Sequence, residues 1–127
     1  MRPTATRIER GLARILAEKI VAVVRLDDAN RGIDVARALV RGGVSLIEIA
    51  LTTPDAVPLM VRIRREVPEA VVGAGTVMTV ADVASLRPAE PDFAVAPILD
   101  PSVVRAAQAE GLLFSPGTYS PTETLQA

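Results

Sequence analysis

The sequence has 127 residues, half of them hydrophobic but only 2% aromatic, and a formal net charge of −1. That length suits one domain with a real core, while the near-neutral charge and the shortage of stacking platforms argue against a nucleic-acid surface, and no apolar run approaches the ~20 residues of a membrane span. There is no Cys and no His, which removes disulfides, thiolate chemistry and the commonest metal ligand and general base.

Ile8, Leu12, Ile15 and Leu16 recur at helical spacing, with Arg7, Glu9, Arg10 and Arg14 on other faces. Residues 1–19 therefore read as an amphipathic leading helix that lids an apolar edge. Residues 1–16 carry Glu9 and no compact apolar core, so no signal peptide is expected, and a cysteine-free chain fits a reducing cytoplasm. A strand over 20–24 runs into Arg25. Asp27 or Asp28 caps a helix through Val40, which Gly42 and Gly43 stop.

Residues 46–51, Leu-Ile-Glu-Ile-Ala-Leu, read as a buried strand with one carboxylate in its middle. Thr53 is the expected N-cap and Pro54 the first residue of a helix reaching Glu66, before Pro68. A third strand covers 70–75. Thr79 and Asp82 form a capping box that opens a short helix to Leu86. A fourth strand over 92–96 is closed by Pro97. Asp100 and Pro101 start a helix that Gly111 ends, a fifth strand covers 112–115, and Ser120 with Glu123 forms a second capping box. These five strand-then-helix units recur every ~20–26 residues, the pattern of a parallel sheet with right-handed crossovers. It fits either an open doubly wound sheet or part of a (β/α)8 barrel, since a complete barrel takes ~200 residues or more.

In both architectures ligands bind at the carboxyl ends of the strands. The polar and special residues collect there: Arg25, Glu48 with Thr52, Gly75 with Thr76, Pro97, and residues 115–117. Side chains alternate along a strand, so Glu48, Ala50 and Thr52 share one face and Ile47, Ile49 and Leu51 the other. The aliphatic face suits packing against helices, which leaves Glu48 facing a barrel interior. A carboxyl among apolar neighbours loses hydration, its pKa rises, and it becomes able to give and take protons. An exposed position or a structural ion pair is the competing reading. Arg25 is placed to hold Glu48 ionised or to hold an anionic substrate. Gly73-Ala74-Gly75-Thr76 reads as a strand exit or, less well, as a phosphate loop, because the third glycine of a dinucleotide fingerprint falls at Met78. Arg62, Arg64 and Arg65 read as a solvated helix face.

Taken together, residues 20–25, Leu46-Ile47-Glu48-Ile49, Val67-Pro68-Glu69-Ala70-Val71-Val72-Gly73-Ala74-Gly75-Thr76-Val77, residues 93–97, and Pro116-Gly117 before Ser120-Pro121-Thr122-Glu123 resemble the 2-keto-3-deoxy-6-phosphogluconate (KDPG) and 4-hydroxy-2-oxoglutarate (KHG) aldolase family. The resemblance covers the first five of eight βα units, so residues 1–127 are expected to form a single partial (β/α) barrel domain. It implies a class I aldolase, commonly a homotrimer, that forms an imine with a lysine on the sixth strand. The products are pyruvate and an aldehyde, and no cofactor or metal takes part. Glu48 matches the family's proton-shuttling glutamate. Arg25 matches a position near the substrate carboxylate, and Thr76 and Pro97 match residues lining the pyruvate end. Thr52 stands where some members carry an arginine that reads the aldehyde, so it is the substrate-facing residue at that place.

The only lysine, Lys19, precedes the first strand and does not match the imine-forming position. Residues 1–127 alone are therefore expected to be inactive. The alternative expectation is a non-catalytic barrel fragment that acts as an assembly or binding module.

Overall fold

The computed structural model describes residues 6–127. The chain opens with α1 (Arg7–Glu18), followed by β1 (Ala22–Val24), a 3-10 turn (Ala29–Arg31), α2 (Gly32–Arg41), β2 (Leu46–Ala50) and α3 (Ala56–Glu66). It continues through β3 (Val71–Gly75), α4 (Val80–Ser85), β4 (Phe93–Val95), α5 (Pro101–Ala109), β5 (Phe114–Ser115) and α6 (Pro121–Gln126). The leading helix expected over 1–19 is α1, with residues 1–5 lying outside the described residues.

The sheet is fully parallel, with five strands in the order β1-β2-β3-β4-β5, so every strand pairs with its neighbour in sequence. This is the progressive order of a (β/α) barrel. An open doubly wound sheet would reverse its order at a switch point.

Alternation along the strands sorts the apolar residues into two cores. On the outer face Ile47, Ile49, Val72, Ala74 and Ala94 pack against Ile33, Ala36, Leu59, Met60 and Ile63 of α2 and α3 and against Val83, Val103 and Ala107 of α4 and α5. On the inner face Leu46, Val71 and Phe93 form a smaller cluster, which Ile15, Val21, Val95 and Leu113 extend. α1 lies across the amino ends of the strands and closes this inner cluster from below. Gly11 makes that approach possible, because a Cβ there would stand 2.6 Å from the Asp92 carbonyl oxygen. Arg7 Nη2 donates to the Glu110 and Gly111 carbonyls, both at 3.1 Å, and so caps the end of α5.

The helix starts follow the sequence, with three exceptions. Thr6 and Thr79 each form a complete capping box, and Asp100 caps as expected, whereas Asp28 caps the 3-10 turn and α2 starts after Arg31 with no side-chain cap, because the turn takes up the Asp28 carboxylate first. The second expected box is displaced: Ser120 accepts from the Glu123 N–H, but the Glu123 carboxylate accepts from the Tyr119 N–H (2.6 Å). Thr53 and Pro54 do not start α3. That helix begins at Ala56 after Asp55, a left-handed residue (φ 53°) whose side chain makes no cap bond. The Thr53 hydroxyl is committed elsewhere: it is buried and accepts the Leu26 N–H at 3.2 Å, tying the segment after β1 to the segment after β2. One of the three arginines on α3 also departs from the expected solvated face. Arg64 Nη1 donates to Asp92 Oδ2 (2.8 Å), and the same oxygen accepts the Val72 N–H (3.1 Å) at the foot of β3.

Candidate active site

β2 is buried along its whole length, and Glu48 in its centre is only 8% exposed. Its inward direction follows from the alternation that sends Ile47 and Ile49 outward. In register Glu48 stands opposite Val23 of β1 and Gly73 of β3. Its side chain, however, leans two residues along toward the carboxyl end. A Cβ built on Gly75 would overlap Glu48 Oε1 and stand 2.8 Å from Cδ and 2.9 Å from Cγ. The carboxylate thus lies against the bare backbone of Gly75.

Gly73 serves a different neighbour. A Cβ there would overlap the Phe93 ring, so the glycine admits the aromatic side chain that fills the lower interior. Neither glycine has a positive φ; the positive-φ glycines are Gly43 and Gly111. The pair Gly73 and Gly75 is therefore present for space, and both belong to β3. The stretch is thus the end of β3, which the chain leaves at Thr76, in line with the strand-exit reading.

Arg25 is the first residue beyond β1. Its Nε donates to Thr52 Oγ1 (3.0 Å), so it approaches Glu48 through space and not as a bonded pair. Burial pushes the Glu48 carboxyl above its ordinary value, and the positive charge of Arg25 opposes that rise without cancelling it. Arg25 therefore acts in the direction that favours the ionised form, against the larger effect of burial. Thr76 follows Gly75 with φ 60°. A β-branched residue in the left-handed region is strained by about 1–3 kcal/mol. The kink it makes lets Val77 turn back and donate to the Val95 carbonyl at 3.1 Å.

Pro97 belongs to a second cluster, at the ends of β4 and β5. Ala96 donates to the Ser115 carbonyl (3.1 Å), and a Cβ on Gly117 would overlap the carbonyl of exposed Pro97, so the two loops touch because residue 117 is glycine. A cavity of about 390 Å³ runs up the inner face between these clusters and α1, lined by Glu48, Val21, Phe93, Val95, Leu113 and Ser115 among others. The structure therefore brings Arg25, Thr52, Glu48 and the Gly75–Thr76 step together and sets Pro97 on the neighbouring loops. Sequence reasoning missed buried Thr53, the seat at Gly75 and the strain at Thr76. Only Gly75 left a signal, a glycine two residues beyond the register partner of a buried carboxylate. Among the described residues no group of three or more His, Cys, Asp or Glu is arranged to hold a metal, and no helix is long and apolar enough to cross a membrane.

The family model described as KDPG and KHG aldolase matches residues 12–127. A KHG/KDPG aldolase of Escherichia coli K12 is 35% identical over 106 residues, which cover 84% of this chain and 50% of that protein. A KDPG aldolase of Legionella pneumophila, solved with pyruvate captured at low pH as a covalent carbinolamine intermediate, superposes with a TM-score of 0.78 at 26% identity over 84% of this chain and 52% of that one. The 2-keto-3-deoxy-6-phosphogluconate aldolase of Zymomonas mobilis ZM4, solved with 3-phosphoglycerate, gives 0.76 at 32% identity over 83% and 50%. The chain spans about half the length of the curated relatives it matches.

Proposed function

Since this chain belongs to the KDPG and KHG aldolase family, we propose that residues 1–127 form one partial-barrel domain carrying the proton-shuttling side of an imine-forming aldolase site. The reaction is cleavage of 2-keto-3-deoxy-6-phosphogluconate or 4-hydroxy-2-oxoglutarate to pyruvate and an aldehyde. The observation that carries this reading is Glu48, a buried carboxyl whose pKa is raised by desolvation and whose side chain leans toward the carboxyl end of the sheet.

Imine formation needs a proton delivered to the departing carbinolamine hydroxyl. Cleavage then needs a base for the substrate hydroxyl, and the resulting enamine needs a proton back at carbon. One carboxyl poised nearer neutrality can serve each of these transfers in turn. Arg25, oriented by its bond to Thr52 Oγ1, meets the substrate carboxylate. Thr52 at the aldehyde side, and Thr76 and Pro97 at the pyruvate end, line the substrate. The reaction takes place in the cytoplasm and in a homo-oligomer, a trimer in the family pattern.

The amine comes from outside these 127 residues. Lys19 is the only lysine, and it caps α1 in the left-handed conformation (φ 58°) at the amino end of the sheet. β2 rises by ~3.3 Å per residue, so its length separates Lys19 from the carboxyl-end cluster by well over ~10 Å. Residues 1–127 alone consequently form no productive imine. A second reading, an assembly module whose barrel is completed by another chain, draws on inward-facing Val23, which is 60% exposed, and on the outer edges of β1 and β5.

Borohydride reduction with pyruvate, read by mass spectrometry, tests the reading. No adduct is expected on 1–127. An adduct together with aldol cleavage is expected when the chain is joined to the complementary half of a relative, and Glu48→Gln should abolish the cleavage while the fold is kept. Trapping on Lys19 with turnover in 1–127, or full activity in the joined Glu48→Gln protein, would overturn it. A joined protein that folds but never traps pyruvate would favour the assembly module.

A further inference from the structure

Two glycines of β3 face the interior with no conformational reason to be glycine, and each abuts a different side chain. Gly73 admits an aromatic ring, whereas Gly75 admits a carboxylate. We propose that Gly75 is a positioning residue for Glu48: its bare Cα is the seat that holds the carboxylate against β3, and any side chain at position 75 displaces that carboxylate into the open interior.

The geometry is specific. Three successive atoms of Glu48 (Cγ, Cδ and Oε1) lie within 3 Å of where a Cβ would stand, so the whole end of the side chain must move when one is added. The obstruction is the flexible end of a side chain and not backbone. A variant can therefore keep its fold while the carboxylate swings away. Gly75 has an ordinary strand φ, so alanine meets no backbone penalty there. The strands facing Glu48 present no other titratable group: Gly73 and Gly75 come from β3, Phe93 and Val95 from β4, Leu113 and Ser115 from the β5 segment. Arg25 beyond β1 is the charged group that acts on it. A carboxylate displaced from the seat enters the cavity of about 390 Å³, where water replaces the backbone against which it was desolvated. The seat itself stands on geometry alone; its catalytic consequence rests on the reading of Glu48 as proton shuttle.

The test is a carbon-13 NMR titration of 1–127 made with carboxyl-labelled glutamate, the Glu48 resonance being assigned by its loss in Glu48→Gln. In Gly75→Ala the Glu48 midpoint should fall toward the ordinary glutamate range. An unmoved or raised midpoint in the folded variant would overturn the proposal. A melting-temperature cycle covers the case in which Gly75→Ala is too unstable to titrate. The loss caused by Gly75→Ala should vanish in a Glu48→Ala background, and an equal loss in both backgrounds would overturn the seat. In a chain joined to the complementary half-barrel, Gly75→Ala should lower kcat by about 10²-fold with KM little changed, the scale of a small misplacement of a reacting group. A shifted midpoint with unchanged kcat would uphold the seat and overturn the shuttle reading.

Discussion

The two ends of the sheet's inner face are built on opposite plans from the same strands. At the amino end Leu46, Val71 and Phe93 interlock against Ile15 of the leading helix, and Gly73 is given over to the Phe93 ring. At the carboxyl end the same strands offer Glu48, Gly75, strained Thr76 and Arg25, and space is left for a carboxylate to lean into. In β3 the change from one plan to the other takes two residues. The lesson is that stability and chemistry are kept apart by depth along the strand, so a substitution should disturb one without the other.

The largest effect is expected at the amino end. Phe93→Ala removes a ring that is 3% exposed and leaves a cavity bounded by Gly73, so denaturant unfolding should report a loss of about 3–5 kcal/mol. The Glu48 titration should stay where it is as long as the fold persists. An equally large shift in that titration would break the separation of the two ends.

Thr53→Val tests the frame that holds the carboxyl-end loops. It leaves the Leu26 N–H without its acceptor, and a loss of about 1–3 kcal/mol is expected by the same measurement. A neutral result would mean that the loops after β1 and β2 need no such tie.

The smallest effect in energy has the most informative sign. The Glu48 pKa is raised in the fold, so the folded chain holds a proton that the unfolded chain has already lost. Its contribution to stability is therefore most favourable at acidic pH, and falls as pH rises from the ordinary glutamate value through the raised one. Glu48→Gln should remove that slope and gain on the parent across this window. Arg25→Ala, which removes the charge that opposes the rise, should move the Glu48 midpoint further up. Chemical denaturation at a series of pH values checks the first, and carboxyl NMR the second. A parent whose stability instead rises through that window would contradict burial as the dominant influence on Glu48.

Much of the fold was legible because it rests on local rules. Thr79 with Asp82, Asp100 before Pro101, and the alternation of Ile47 and Ile49 with Glu48 each state their role within a few residues. What escaped was decided across strands. Thr53 followed by Pro54 has every local mark of a helix start, yet an N–H from the neighbouring segment captures its hydroxyl and α3 begins two residues after Pro54. Arg64 looks like its solvent-facing neighbours until Asp92 arrives from another unit. Glu48 and Arg25 could be named as a pair, but their balance depends on how deeply the carboxyl is buried. The purpose of Gly73 and Gly75 becomes visible only once the parallel register sets one beside the Phe93 ring and the other beyond Glu48.

The seating of α1 has a consequence for the order in which the chain folds. Every strand pairs with the next in sequence, so the sheet can grow unit by unit through contacts of modest separation. α1 is the exception: Gly11 abuts the Asp92 carbonyl, and Arg7 donates to Glu110 and Gly111, 103 and 104 residues away. Arg14 and Glu18 already meet Ser45 ahead of β2, but the seat of Gly11 and Arg7 is complete only once β4 and the end of α5 exist. Contacts of such long sequence separation are costly to form early, so Arg7→Ala is expected to speed unfolding more than it slows folding, as a chevron measurement would show. The leading helix ties the start of this segment to its fourth and fifth units.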